Sequence, residues 1–196
     1  MKICRAIWVS KSSNRRKMNQ LNRSYFQLRQ AVEVTEVFNK YEVEFMFIGK
    51  SGAILLGYPA ATQDVDLFPE KSVENGEKLV KALRELEFEI TDSIAEKIIG
   101  GVDFVQLKTG PFDLDLVFAP DGIESYAEAK KRKLMIDGFP VAHIRDIIAS
   151  KKASGREKDL NDLPLLEDFQ EELEKKMRGD LKSASELAME KAKQLG

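Results

Sequence analysis

With 196 residues and 43% apolar content, the chain suits one domain, or one domain with a helical appendage. A third of its residues are charged but the net charge is only -2, which excludes a surface built throughout for nucleic acid and leaves room for a local basic patch. A single cysteine, Cys4, excludes an internal disulfide, and no apolar run approaches the roughly 20 residues of a membrane-crossing helix.

The first 17 residues lack the apolar core and small-residue cleavage site of a signal peptide, so the expectation is a soluble, cytoplasmic protein. Lys2, Arg5, Lys11, Arg15, Arg16, Lys17, Arg23 and Arg29 all precede the first acidic residue, Glu33. Residues 1–17 therefore read as a basic leader. Two readings stand: an arm that touches RNA or another polyanion, and a flexible leader ahead of a start at Met18. Residues 18–142 read as the α/β core and 143–196 as a helical C-terminal part.

In chain order, the spacing of Tyr25, Leu28, Val32 and Phe38 predicts a helix over about 20–40. Glu44 to Ile48 predicts a strand that feeds a short helix near Ser51, stopped by Gly57-Tyr58-Pro59. Gln63 to Phe68 is the next strand, and the Leu79, Leu83 and Leu86 stripe predicts a helix over 73–86. Val102–Leu107 and Phe112–Phe118 read as a hairpin across Lys-Thr-Gly-Pro. A short helix over 125–133 precedes a strand-like patch at 134–136 and 139–141. From Ile144 the chain reads as helical, punctuated at Gly155, Pro164 and Gly179, with a Ser183-x-x-Glu186 capping box opening a last helix. The expected fold class is α+β (mixed α/β): a small mixed sheet of about four to five strands flanked by helices, with a helical C-terminal part.

The chemistry concentrates in carboxylates. Asp64 and Asp66 are spaced i, i+2 on a strand-like run, so both project from one face and repel one another unless a cation lies between them. Asp113 and Asp115 repeat the pattern. Hard divalent cations such as Mg2+ or Mn2+ choose such oxygens, and phosphoryl or nucleotidyl transfer needs them to neutralise developing charge. A third ligand from Asp113 or Asp115 would complete the set, the alternative being a plain polar strand face. Gly49, Ser51 and Gly52 put small residues between strand and helix, where backbone N–H groups can approach a phosphate. The Gly-Lys-Ser run lacks the spacing of a Walker motif. Lys151, Lys158 and Asp162 lie at i, i+7 and i+11, one helical face if the helix continues through Gly155, and cations there would hold a triphosphate. His143, the single histidine, reads as a helix cap or packing residue, and Phe45, Phe47, Phe104 and Phe118 read as sheet core.

A strand, a small-residue turn, a short helix and a hydrophobic-Asp-hydrophobic-Asp strand resemble the DNA polymerase beta-like nucleotidyltransferase superfamily. Gly57-Tyr-Pro-Ala-Ala-Thr-Gln-Asp-Val-Asp-Leu67, with Lys151-x-Ala-x-x-Arg-x-Lys-Asp-x-x-Asp162, resembles the AbiEii-type, minimal nucleotidyltransferase-like group over about residues 44–170. The resemblance implies that Asp64, Asp66 and Asp115 bind metal and that Lys151 and Asp159 belong to the active site. It places Arg156 and Lys158 nearby, with Gly49, Lys50 and Ser51 on the nucleotide side. Two positions depart from the pattern: Lys50 replaces a small residue, and Ala60 stands where arginine is common. Weakened phosphate binding, a changed substrate and a degenerate enzyme all remain open, with Lys50 a replacement source of charge.

The leading expectation is an Mg2+-dependent nucleotidyltransferase that moves an NMP from an NTP to an acceptor, RNA/tRNA or protein. The resemblance adds a toxin role with an antitoxin partner. The alternatives are a small-molecule, antibiotic-type nucleotidyltransferase and a non-catalytic binding module on the same fold. A glycosyltransferase is disfavoured by length, and a haloacid-dehalogenase phosphatase by the lack of an apolar strand leading into Asp64.

Overall fold

Phe45-Met46-Phe47 forms β1, and all three side chains are buried, so the strand must be covered on both faces. It is central in a six-stranded mixed sheet of order β3-β4-β2-β1-β6-β5, with β2 Val65–Pro69, β3 Phe104–Leu107, β4 Leu114–Val117, β5 Leu134–Ile136 and β6 Phe139–Val141. The computed structural model describes residues 25–194, with side chains to Gly179, so the basic leader lies outside the described residues. The sheet exceeds the expected four to five strands because the patch at 134–141 makes a two-stranded edge hairpin.

The described helices are α1 Leu28–Lys40, α2 Gly49–Leu55, α3 Val73–Glu85, α4 Asp92–Ile99, α5 Tyr126–Arg132, α6 Ile144–Ser154 and α7 Glu157–Gln194. Helix α1 starts at Leu28 and buries Ala31, Val34 and Phe38, so of the expected stripe only Phe38 is core, while Tyr25, Leu28 and Val32 are exposed. Burying large side chains such as Phe47, Phe68 and Leu116 contributes about 1.5–3 kcal/mol each. Helices α1 and α3 pack on one another, as do α3 and α4, while α2 packs on α6 and α6 on α7.

Several expectations are corrected. Residues 92–99, unassigned in the sequence reading, form α4, started by the Thr91 side chain accepting from the Ile94 N–H and anchored by buried Ile98. The punctuation expected at Gly155 is a full break, so the condition that would set Lys151, Lys158 and Asp162 on one helical face is not met. Gly155 takes a left-handed φ of 61° and ends α6, and α7 begins afresh at Glu157. Conversely, α7 runs through Pro164 and Gly179. A proline inside a helix costs about 3 kcal/mol; Leu166 is buried, and Leu163, Phe169 and Leu173 pack against the core, which offsets it. No new helix starts at Ser183, so its capping box has no terminus to cap. Phe104 is exposed on edge strand β3, whereas Phe45, Phe47 and Phe118 are core. No helix among the described residues is long and apolar enough to cross a membrane.

Candidate active site

Strand β2 pairs with β4 in parallel register, and the register sets Asp66 directly beside Asp115. Because side chains alternate, Leu67 and Leu116 face the core while Asp66 and Asp115 face a cleft together. Asp64 stands just before β2 and lines the same cleft. Asp113 does not line it, and its carbonyl instead accepts the Val65 N–H at 3.0 Å.

Burial, then the neighbouring Asp115 carboxylate, push the Asp66 acid up to about 7, with Asp64 adding to the effect. Burial also raises Asp115. One oxygen of Asp115, Oδ1, is buried without a hydrogen-bond partner. These are the properties of carboxylates held for a positive group. Among the described residues no three Asp, Glu, His or Cys side chains converge into a ready-made metal cage. Mg2+ is commonly held by one or two carboxylates completed by substrate phosphates. The donor set present is of that kind.

The turn after β1 supports Asp66 from behind. Ser51 is fully buried; its Oγ accepts the Asp66 N–H at 2.9 Å, and its own N–H lies 3.5 Å from Asp66 Oδ2. Ser51 thus contacts Asp66 and does not line the cleft, whereas Gly49 and Lys50 do. Gly49 has φ +61°, and a Cβ there would meet Asp66 Oδ2 at 2.5 Å. Gly49→Ala is therefore expected to cost on the order of 1–3 kcal/mol in backbone strain alone, with a further loss from displacing Asp66. Chemical denaturation checks this, and adding Asp66→Ala should recover the clash but not the strain.

Across the cleft, Lys151 is buried on α6 and its Nζ reaches Asp159 Oδ1 at 2.7 Å and Asp162 Oδ2 at 3.3 Å, both on α7. The α6–α7 break thus brings together on two helices the groups expected on one. Burial raises the Asp159 acid, but Lys151, Ser154 and Arg156 outweigh it and hold the group down at about 2. Lys50 Nζ is 2.7 Å from Asp162 Oδ2. Arg156 and Lys158 are exposed at the cleft, and Lys158 has no ion pair among the described residues. The cleft, about 240 Å3, is therefore lined by carboxylates from the sheet on one side and by cations on the other.

Thr62, Ile147 and Ser150 also line it and were missed in the sequence. Ile147 lies at i-4 from Lys151 on α6, and Ser150 at i+3 from Ile147, so helical-face spacing from Lys151 finds the first and, through it, the second. Ala60 packs against the core and is not part of the lining. His143 caps α6, its Nδ1 accepting the Arg145 N–H at 3.2 Å, and burial lowers its pKa.

No family model matches the chain, and no curated protein matches it. Among solved structures it is similar to that of the antibiotic-resistance factor ANT(2'')-Ia, an aminoglycoside nucleotidyltransferase. The TM-score is 0.50 at 14% identity, covering 84% of this chain and 100% of that one. At this identity the likeness shows the fold alone, and that fold is nucleotidyltransferase-like. Nothing in the comparisons singles out the AbiEii-type group.

Proposed function

We propose that the chain is a divalent-metal-dependent nucleotidyltransferase that moves a nucleoside monophosphate from an NTP to an acceptor, breaking the bond between the α- and β-phosphates and releasing pyrophosphate. The observation that carries this reading is the Asp66–Asp115 register, with Asp64 at the strand entry, facing Lys50 and Lys151 across one cleft. The unpartnered Asp115 Oδ1 and the raised Asp66 acid support a cation among these carboxylates.

Asp64, Asp66 and Asp115 would hold Mg2+ or Mn2+, which supplies charge neutralisation for the phosphates when bound. Lys50 and Lys151 bind phosphate oxygens from the opposite wall. Gly49 admits the nucleotide close to the backbone, and Ser51 fixes the Asp66 carboxylate. Asp159 orients the Lys151 ammonium, and Arg156 braces Asp159.

The exposed cations Arg156 and Lys158 at the cleft favour a polyanionic acceptor, an RNA such as tRNA. A protein side chain is the alternative acceptor. The AbiEii-type resemblance extends the proposal to a toxin controlled by an antitoxin.

The test is incubation with each labelled NTP, Mg2+ and total RNA or lysate. Label is expected in the RNA fraction and lost with chelator, and label on protein instead would reassign the acceptor. If none of the four NTPs labels anything or gives heat on calorimetric titration, the chain is a binding module and the proposal fails.

A further inference from the structure

We propose that Asp162 is a built-in stand-in for phosphate: in the nucleotide-free protein it occupies the anion position that an outer phosphate of the triphosphate takes over, and Lys50 is the cation that exchanges between them. The inference rests on the nucleotidyl-transfer reading and adds to it a competing group and its mobile partner.

The geometry around one oxygen carries the argument. Asp162 Oδ2 is reached by two ammonium groups, Lys50 from α2 at 2.7 Å and Lys151 from α6 at 3.3 Å. All three residues line the cleft that holds Asp64, Asp66 and Asp115. Two ammonium groups converging on one oxygen in a polar cleft make a receptor for phosphate oxygen, and a terminal phosphate brings more charge and more acceptors than a carboxylate.

The two lysines differ in what else holds them. Lys151 is buried and keeps Asp159 Oδ1 at 2.7 Å whether or not Asp162 stays. Asp159 is itself fixed by the Ser154 hydroxyl and Arg156. Lys50 is partly exposed, and Asp162 is its single ion-pair partner among the described residues. Lys50 can therefore leave Asp162 without disturbing a buried network, whereas Lys151 is anchored. Locally Lys50, Lys151 and Arg156 face Asp159 and Asp162, so the cluster carries a surplus positive charge that an anion relieves.

A plain structural clip between α2 and α7 makes a different prediction. If the pair only staples two helices, removing either member has the same consequence. If Asp162 competes with phosphate for Lys50, the two removals act in opposite directions. The full-length protein, Lys50→Ala and Asp162→Asn are to be titrated calorimetrically with inorganic tripolyphosphate and with the Mg2+–NTP that wild type labels with. Thermal melts of all three, whose altered side chains are partly exposed, report any loss of folding.

Lys50→Ala should weaken both ligands about tenfold or more, the scale of a lost charge-assisted hydrogen bond. Asp162→Asn, which keeps the side-chain shape, should tighten both by about three- to tenfold. Weakening of similar size in both variants assigns a clip and overturns the inference while nucleotide binding stands. Wild-type affinity in Lys50→Ala also overturns it. Failure of wild type to bind tripolyphosphate or any Mg2+–NTP removes the nucleotidyl-transfer reading and this inference with it.

Discussion

Asp66→Asn is expected to raise the melting temperature of the metal-free protein at pH 8 while reducing NTP-dependent labelling at least about a hundredfold. Asp66 folds with its acid raised to about 7 by burial and by Asp115, against an ordinary value near 3.8. Between those values the folded state holds a proton that the unfolded state has released. The contribution of Asp66 to stability therefore falls as pH rises from about 4 to about 7 and is flat above. The cost at pH 8 is on the order of 1–4 kcal/mol. Asparagine removes the charge and keeps an oxygen for the Ser51 donors, so the variant should lose this part of the pH dependence and melt roughly 5 °C higher. Mg2+ should stabilise wild type and leave the variant unchanged. Melting curves from pH 4 to 8 check both statements, and an unchanged or lowered Tm of the variant at pH 8 would refute the first.

Lys151→Met is expected to cost on the order of 3 kcal/mol, because it strips the ammonium from a buried aspartate. Asp159 would keep Arg156 and Ser154 but lose its 2.7 Å partner. Pairing the change with Asp159→Leu should recover most of the loss, since an apolar pair leaves no uncompensated charge. Labelling should stay absent in both, which separates the fold's need for the pair from the reaction's need for the lysine. In wild type, Asp159 has its acid held at about 2, so its contribution is complete above about pH 4 and fades as pH falls through 2. That acid-side loss should be missing from the double variant. Urea denaturation at pH 3 and pH 7 measures it.

Part of the carboxylate half of the candidate site was legible because a strand alternates with a period of two, so Asp64 with Asp66, and Asp113 with Asp115, read as pairs sharing a face. Choosing Asp115 over Asp113 required the parallel register of β2 and β4, which no local pattern encodes. On the cationic side, Asp162 reads as a face-mate of Lys151 and Asp159 enters through the resemblance, but neither ion pair is legible in the sequence. Gly155 ends one helix, and the reversal into α7 delivers Asp159 and Asp162 to the lysine. Pro164 reads as a stop, yet buried Leu166 and the packing of Phe169 keep the helix going, so there tertiary packing overrode local preference. Helix α4 escaped notice because its eight residues bury one large side chain, Ile98. Ser51 was expected to face phosphate and instead contacts Asp66, a distinction of side-chain direction that spacing does not carry.

The parallel pairing of Asp66 with Asp115 also sets how the chain can be re-engineered. Between these two residues run α3, α4 and β3, none of which contributes a residue to the cleft lining. For the candidate site that excursion returns the chain in register, and Gln106 of β3 also hydrogen-bonds the Asp115 carboxylate. The loops around α3 and α4 are thus a more natural place for insertion or a new chain opening than β3. A single extra residue inside β4 ahead of Asp115 is another matter. It would turn Asp115 into the core, bring a leucine to the cleft, and dismantle the candidate site with Asp64, Asp66, Asp115 and Lys151 all still encoded.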